Sequence, residues 1–224
     1  MAARAHLLAL FAALACACAS TARRIGTPMP GDPTWPRDGQ KRIAYVGELH
    51  APENLGIEHG FFGRVWRWIA GADDSEELYR PFAVAVAPDG RVAVADPGRR
   101  SVHLYDPRAG DYRRLTAKLA YPVAVAFAGN TLFVADGERR ELSAFDARGE
   151  RIPLPVAVPE LQRPAGLAVD ERRRLLFVSD SPSHVVHALP LDGGEGRRLG
   201  GRGDAAGQLN FPTHLAVDGA GQLY

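Results

Sequence analysis

Cysteine is nearly absent from this chain, and its two cysteines, Cys16 and Cys18, both lie near the N-terminus. The residues after them therefore hold no disulfide and no thiol, which excludes cysteine-based zinc sites and thiol catalysis from a folded domain. An excess of charge is lacking too. Of the 27 Lys and Arg residues only Arg4 precedes residue 20, and the other 26 balance the 26 Asp and Glu residues. This balance gives no indication of a nucleic-acid partner.

Motifs of the common catalytic sites are also missing. The chain has no Gly-x-Ser-x-Gly elbow, no His-Glu-x-x-His pair, no phosphate-binding loop and no dense acidic calcium loop. An uninterrupted apolar run is found at residues 7–15, where it follows Arg4 and precedes small residues. This order is typical of a secretory signal, and the run is too short for a transmembrane helix. We therefore predict that residues 1–19 are an export signal and not part of the fold.

Two forms of this signal fit its C-terminal end. Ala17-Cys18-Ala19 fits an ordinary small-x-small cleavage site before Ser20, whereas Ala13-Leu14-Ala15-Cys16 resembles a bacterial lipobox. In the second form Cys16, or alternatively Cys18, becomes the lipidated first residue. Two cysteines between small residues at the end of an apolar run favour the lipoprotein form. We expect an exported protein, held by a lipid anchor at the periplasmic face of a bacterial membrane.

One phrase recurs at intervals of about forty residues in the remainder of the chain. Its copies begin at Tyr79-Arg80-Pro81-Phe82, Tyr121-Pro122-Val123, Arg163-Pro164-Ala165 and Phe211-Pro212-Thr213-His214. The repeated prolines are 41, 42 and 48 residues apart. This period is typical of propellers and solenoids. The fourth copy extends to Tyr224.

Each of the first three copies contains four short apolar runs separated by turn residues, with no helical period between them. The predicted strands cover residues 83–87, 91–95, 101–106 and 111–116 in the first copy. They cover residues 123–127, 131–135, 141–146 and 151–154 in the second, and 166–169, 175–179, 184–189 and 196–199 in the third. Four strands per copy is the arrangement of a propeller blade. We predict an all-β fold in which residues 79–224 form a β-propeller.

The fullest copy resembles the NHL family of propellers. It comprises a Gly-rich lead-in at residues 200–210, then Phe211-Pro212, then Leu215-Ala216-Val217-Asp218-Gly219. The resemblance implies six four-stranded blades in a full-length protein, of which about three and a half are present here. The chain would then be a C-terminally truncated fragment. The alternative is a short protein that dimerises into a ring.

Residues 20–78 differ in composition from the repeats. Residues 20–40 are rich in proline and indicate an extended tether. Residues 41–48 predict a lone strand, which in propellers often completes the last blade. Residues 57–70 have large apolar residues at spacings of three and four, which predicts a short amphipathic helix. We expect this helix to pack on one face of the propeller; the alternative is a helix that binds a membrane or a partner.

Three aspartates, Asp96, Asp136 and Asp180, recur at one position of each copy. A carboxylate there accepts backbone N–H bonds and stabilises a turn. Its presence in each of these copies favours this structural role over a catalytic one.

His214 is the candidate for a ligand or metal site. It replaces Ala83, Ala124 and Gly166 of the other copies at the start of the inner strand, where a blade meets the central channel. A lone imidazole among small residues would be open to a ligand there. The resemblance adds that amidating lyases of this propeller type bind zinc through histidines near this blade position, so a divalent metal at His214 stays open. No other cofactor and no catalytic residue is predicted.

Three functions fit these features. The first is a non-catalytic binding or scaffold module for a protein or glycan partner outside the cytoplasm, as the resemblance to NHL propellers implies. The second is a metal-dependent hydrolase or lyase, similar to lactonases or amidating lyases, with its site in the central channel. It requires polar residues at several inner-strand starts, whereas three of the four copies have Ala or Gly there. The third is a structural accessory lipoprotein of an envelope redox or secretion complex. The sequence favours the first.

Overall fold

The computed structural model describes residues 34–35, 43–57 and 76–224 of the chain. The chain divides into two compact units, one of Met1–Leu49 with Glu53–Leu55 and one of His50–Pro52 with Gly56–Tyr224. Among the described residues of the first unit, β1 (Thr34–Trp35) and β2 (Ile43–Ala44) form a two-stranded antiparallel sheet. A 3-10 helix covers Pro52–Leu55. Within the described ranges, no helix combines the length and the apolar character that crossing a bilayer requires.

The predictions for the N-terminal region meet this structure only in part. The strand predicted at residues 41–48 contains β2, which has β1 of the Pro-rich stretch as its partner. The predicted export signal, with Cys16 and Cys18, lies outside the described residues. So does the helix predicted over residues 57–70, apart from Ile57, which is buried. The division into signal, tether, strand and helix stays a prediction.

Three antiparallel sheets of four strands follow, one for each of the first three copies of the repeat. Blade 1 consists of β3 (Ala83–Val86), β4 (Val92–Asp96), β5 (Ser101–Asp106) and β6 (Asp111–Leu115). Blade 2 consists of β7 (Pro122–Ala128), β8 (Thr131–Asp136), β9 (Glu141–Phe145) and β10 (Arg151–Ile152). Blade 3 consists of β11 (Pro164–Asp170), β12 (Leu175–Asp180), β13 (Val185–Pro190) and β14 (Arg197–Gly200). The predicted all-β fold of four-stranded blades is confirmed.

Alternate residues of one strand serve two different cores, as β8 shows. Leu132 and Val134 point into the core shared with blade 1, whereas Phe133 and Ala135 belong to the core shared with blade 3. Successive side chains of a strand point to opposite faces of its sheet, so a strand that is covered on both faces needs an unbroken apolar run. This explains why β8 has no polar residue between Thr131 and Asp136.

The fourth copy packs on blade 3 as the next blade would. Backbone hydrogen bonds join Ala216 and Tyr224 in both directions, at 3.0 and 2.8 Å, and the Asp218 N–H bonds to the Gln222 carbonyl at 3.0 Å. Partly buried apolar residues of this copy, among them Leu215 and Val217, pack against the outer side of blade 3. The predicted fourth repeat is thus present as the hairpin of its first two strands.

Candidate binding site at the starts of the inner strands

A buried aspartate at the end of the second strand fixes two loops at one end of each blade. In blade 2, Asp136 accepts hydrogen bonds from the backbone N–H groups of Ala120 (2.6 Å) and Tyr121 (3.0 Å), which precede β7. It also accepts one from Arg139 (2.9 Å) in the turn after β8. The corresponding donors to Asp96 in blade 1 are the N–H groups of Tyr79, Arg80 and Arg99. The predicted turn-stabilising role is confirmed, and the same carboxylate also anchors the segment that leads into the blade.

Asp180 has this role in blade 3. It accepts hydrogen bonds from the N–H groups of Gln162 (2.9 Å) and Arg163 (2.8 Å) and from the Ser183 hydroxyl (2.7 Å). Burial alone would raise the pKa of Asp180, but these hydrogen bonds and the nearby His187 outweigh it and lower that pKa. The ionised carboxylate is therefore the form that holds the blade together.

The loops anchored in this way surround a cavity of about 490 Å³, which we call the inner cavity. The residue after the repeated proline lines it in all four copies: Phe82, Val123, Ala165 and Thr213. The repeat therefore brings four equivalent backbone positions together around one space. Tyr121 adds an exposed aromatic ring to its wall, and Glu138, Arg163 and His214 add titratable groups.

His214 lies where the sequence places it, at the start of the fourth inner strand and exposed to the inner cavity. Its ring stacks on that of Phe82, with centroids 5.9 Å apart. Among the described residues there is no group of three or more His, Cys, Asp and Glu side chains that would hold a metal ion. The role of His214 towards a ligand or a metal stays a prediction.

The peptide before His214 is held by contacts that the other copies lack. The Ser179 hydroxyl donates a hydrogen bond of 2.5 Å to the Thr213 carbonyl, and Gly166 lies so close to this carbonyl that a Cβ atom there would collide with it. Gly166 and Ser179 are opposite each other in the pairing of β11 with β12. The first two blades have alanine at both positions. Gly166 and Ser179, which both differ from the residues of the other blades, thus make room for the Thr213 carbonyl and donate a hydrogen bond to it.

Two further cavities extend the inner cavity across blade 2. A middle cavity of about 480 Å³ shares Gly137, Glu138 and Arg163 with the inner cavity. An outer cavity of about 360 Å³ shares Arg140 with the middle one and reaches the segment after β10. We call the three together the cross-blade groove.

The charged side chains of the groove differ in their pairing. Arg139 and Arg151, just beside it, both bond to Glu141, at 2.8 and 3.5 Å. Arg140 and Arg163, which line it, are exposed and form no ion pair with any described residue. Two guanidinium groups are thus available to a ligand in the groove.

A separate polar cluster is enclosed in blade 1. The fully buried His103 has the Tyr112 hydroxyl 3.0 Å from its Nδ1 and the Ser101 hydroxyl 3.3 Å from its Nε2. Asp96 Oδ2 lies 3.9 Å from the same Nε2. Burial lowers the pKa of His103 to about 4, although Asp96 opposes the shift, and burial also raises the pKa of Tyr112. His103 is therefore neutral at neutral pH and has a structural role.

Comparison with known proteins places the fold in its class. No family model matches the chain, and no curated protein matches it. Hydrazine synthase from Kuenenia stuttgartiensis matches with 20% identity and a TM-score of 0.51, over 65% of this chain and 41% of that one. A chain of the nidogen/laminin complex matches with 22% identity and a TM-score of 0.54, over 64% of this chain and 55% of that one.

Virginiamycin B lyase from Staphylococcus aureus is a third similar structure, with 11% identity and a TM-score of 0.50, over 64% of this chain and 47% of that one. All three proteins are β-propellers. The chain spans about half the length of these proteins. At such identities the likeness concerns the fold alone. The chain is a β-propeller built of four-stranded blades.

Sequence reasoning singled out His214 in the inner cavity but neither Arg140 nor Arg163. The position after the repeated proline would have identified Phe82 as a further lining residue, because the four copies align there. The arginines gave no such signal. They lie in a turn and a lead-in segment, and only the folded chain shows that no described residue forms an ion pair with them.

Proposed function

We propose that this protein is a non-catalytic binding module, which holds a protein or glycan partner on the face formed by the lead-in segments and the turns after the second strands. The observation that carries the proposal is the inner cavity, which all four copies line and which exposes Tyr121, Phe82 and His214. A concave site with apolar walls and a few polar groups is typical of ligand binding. The nidogen/laminin complex supports a binding role in general terms, because a propeller of this fold occurs there in a complex of proteins.

The finer parts of the proposal concern family and location. We propose that the blades are of the NHL type and belong to a six-bladed ring, on the strength of the proline, aspartate and glycine positions of the repeat. We also propose export and a lipid anchor at Cys16 or Cys18 at the periplasmic face of a bacterial membrane. The order of Arg4, apolar run and small residues supports export.

A photo-crosslinking experiment tests the binding face. A benzoylphenylalanine at position 121 would report on the cavity, and the same residue at position 130, in the turn at the other end of β7, would serve as the control. We expect crosslinked partners from position 121 that are missing from position 130, and their loss when Phe82→Ala is added. Equal crosslinking at both positions would contradict the proposed face. A partner from an envelope redox or secretion complex would identify the protein as a structural accessory of that complex.

Glycan partners require a separate measurement. Binding of the purified chain to a glycan array, compared with a Tyr121→Ala variant, would show whether sugars are held in the inner cavity. We expect the variant to lose the glycans that the native chain retains. Retention of the same glycans by both proteins would locate their binding elsewhere.

A hydrolase or lyase is the second candidate, and the exposure of His214 to the inner cavity is the observation that favours it. Such an enzyme would use a divalent metal near this imidazole. Elemental analysis of the purified chain provides the test. Stoichiometric zinc or calcium that is lost in His214→Ala would support the enzyme, whereas a folded, metal-free protein would favour the binding module.

Lipidation can be tested independently of binding. Cys16→Ser, Cys18→Ser and the double variant would be expressed in bacteria with radiolabelled palmitate. We expect the label in the native chain and its loss in one of the two single variants. An unlabelled native protein, cleaved before Ser20, would instead indicate an ordinary secretory signal.

A further inference from the structure

The cross-blade groove changes in chemistry along its length. Its inner end is apolar and aromatic, with Phe82, Tyr121 and Val123 in the wall. Its middle contains the polar side chains of Arg140, Gln162 and Arg163. Its outer end is mixed: the half-buried Leu154 and Val158 lie there beside Glu141 and the exposed Glu160. A ligand that fills the inner and middle parts must therefore be apolar at one end and polar beyond it.

The middle of the groove favours a carboxylate. A guanidinium group binds a carboxylate through two parallel N–H···O bonds, and such charge-assisted bonds are about twice as strong as neutral ones. Neighbouring arginines already have this kind of partner, because Arg139 and Arg151 both bond to Glu141. Arg140 and Arg163 do not, among the described residues.

The backbone at both arginines is ordered before any ligand arrives. Arg140 has a φ of 59°, and its N–H bonds to the Asp136 carbonyl at 2.9 Å in the turn that the Asp136 side chain also anchors. The Arg163 N–H bonds to the Asp180 carboxylate at 2.8 Å, and its carbonyl accepts a bond from Ser181. A site whose backbone is already ordered loses less entropy when it binds a ligand.

We propose that the inner and middle parts of the cross-blade groove bind an extended peptide segment that carries an apolar residue and, close to it, an acidic one. This inference rests on the proposed binding function and names the partner class for the same face. An extended peptide presents side chains at regular intervals, so that an apolar residue can enter the inner end while a carboxylate lies beside Arg140 and Arg163. A glycan carrying a carboxylate would satisfy the arginines but not the apolar inner end.

Glu138 sets the position of the acidic residue. It lines both the inner and the middle cavity, is exposed and forms no ion pair with a described residue. A peptide carboxylate close to it would be repelled, so the acidic residue lies on the side of Arg140 and Arg163. Neutralising Glu138 should therefore strengthen the binding of an acidic peptide.

Selection from a library of random displayed peptides, with the purified chain as bait, is the first test. We expect enrichment of peptides with Asp or Glu close to an apolar residue. An enriched peptide would then be synthesised with a fluorescent label, and its affinity measured by anisotropy. Arg140→Gln and Arg163→Gln should each weaken binding about tenfold, since a charge-assisted hydrogen-bond pair contributes about that factor. Glu138→Gln should strengthen it about twofold to fivefold.

Matched controls separate recognition from folding. Arg139→Gln removes a neighbouring guanidinium that is already paired with Glu141, so it should leave the affinity unchanged. The same peptide with Gln in place of its acidic residue should bind weakly and should not distinguish native chain, Arg140→Gln and Arg163→Gln. Near-ultraviolet circular dichroism of each variant would show that the fold is retained.

Each remaining outcome decides between the inference and the proposed function. Peptides without acidic residues, or affinities that Arg140→Gln and Arg163→Gln do not change, would overturn the inference. If Tyr121→Ala still abolished binding of those peptides, or of a glycan, the proposed binding function would stand without the inference about acidic peptides. If no selected ligand responded to Tyr121→Ala, Arg140→Gln or Arg163→Gln, both would fail.

Discussion

The two ends of the blades are held by different kinds of contact. At the cavity end, Asp96, Asp136 and Asp180 bind the loops of their own blades. At the opposite end, aspartates also bind turns of their own blades, as Asp170 does, but further contacts join neighbouring blades through the turns between first and second strands. They comprise Arg91 to Asn130 (2.9 Å), the Gly129 N–H to Glu171 (2.7 Å), and Arg172 to the Gly219 carbonyl (2.7 Å).

This difference separates two tasks. We call the hydrogen bonds of Asp96, Asp136 or Asp180 to the loops of one blade an aspartate clamp. Such a clamp fixes the loops without any contribution from the next blade, so that surface residues at the cavity end can change independently. Contacts between blades at the other end hold the stack in register, together with the apolar cores. The cavity end is thus suited to recognition, and the other end to stability.

Removal of a clamp is expected to have the largest effect. Asp136→Ala removes the acceptor of the Ala120, Tyr121 and Arg139 N–H groups, and we expect the free energy of unfolding to fall by about 3–5 kcal/mol. Asp136→Asn keeps one oxygen and should cost about half as much. Urea unfolding of the full chain measures both. Asp146→Ala, which frees two N–H groups in an exposed turn, should cost about 1 kcal/mol; a loss equal to that of Asp136→Ala would remove the distinction between the ends.

Acid should destabilise blade 1 through His103, because protonation places a charge on a buried ring. The pKa of this ring is lowered to about 4 in the folded chain, from an ordinary value of 6.5. Its contribution to stability is therefore complete above pH 6.5 and is lost as the pH falls towards 4. The loss should reach about 3 kcal/mol at most, at 1.36 kcal/mol per pKa unit. Unfolding measured across this range should be less pH-dependent in His103→Ser, which places the residue of the matching blade 2 position, Ser143, in blade 1. An unchanged slope would contradict the assignment.

One contact between blade 3 and the fourth copy at the cavity end can be tested by adding a single methyl group. Gly166→Ala places a Cβ atom against the Thr213 carbonyl, and we expect a loss of about 2 kcal/mol as the fourth copy shifts away. Gly137→Ala is the matched control, because its Cβ atom would meet nothing closer than 3.5 Å. Thermal unfolding and the chemical shifts of His214 would report the change. Equal stability of the two variants would show that the fourth copy yields without cost.

The links at the opposite end should have the smallest individual effects. Asn130→Ala removes the acceptor that Arg91 has in blade 2, which should cost about 1 kcal/mol in urea unfolding. Asn130→Asp should recover this loss, because it offers Arg91 a charged acceptor. Identical stability of Ala and Asp at this position would mean that Asp89 alone satisfies Arg91.

The sequence predicts the strands closely because the repeat reports each of them several times. β5 covers Ser101–Asp106, the residues predicted for it. β10 ends at Ile152, two residues before its predicted end, since Pro153 has no N–H group for the ladder. Where a proline interrupts the repeated pattern of apolar residues, that pattern alone places the end of the strand incorrectly.

The candidate site is less accessible to sequence reasoning than the fold. The position of His214 follows from alignment of the copies, and the turn-stabilising role of Asp136 follows from local chemistry. The bond from Asp136 to Ala120 joins residues that are 16 positions apart, and its existence depends on the path of the lead-in segment. Whether Arg140 and Arg163 form ion pairs depends on the charges that the fold brings near them, and no described residue pairs with either; no local pattern contains this information.

The contact of Gly166 and Ser179 with Thr213 means that these repeats are not interchangeable units. If blade 2 were copied into the third place, Ala124 would occupy the space of the Thr213 carbonyl, and Ala135 would offer it no hydroxyl donor. Blade 3 therefore accepts the fourth copy in a way that its predecessors would not. The order of the blades along the chain is thus encoded in the contacts between neighbouring blades. A protein engineer who rearranges the blades must move the residues of each contact together with the blade that follows.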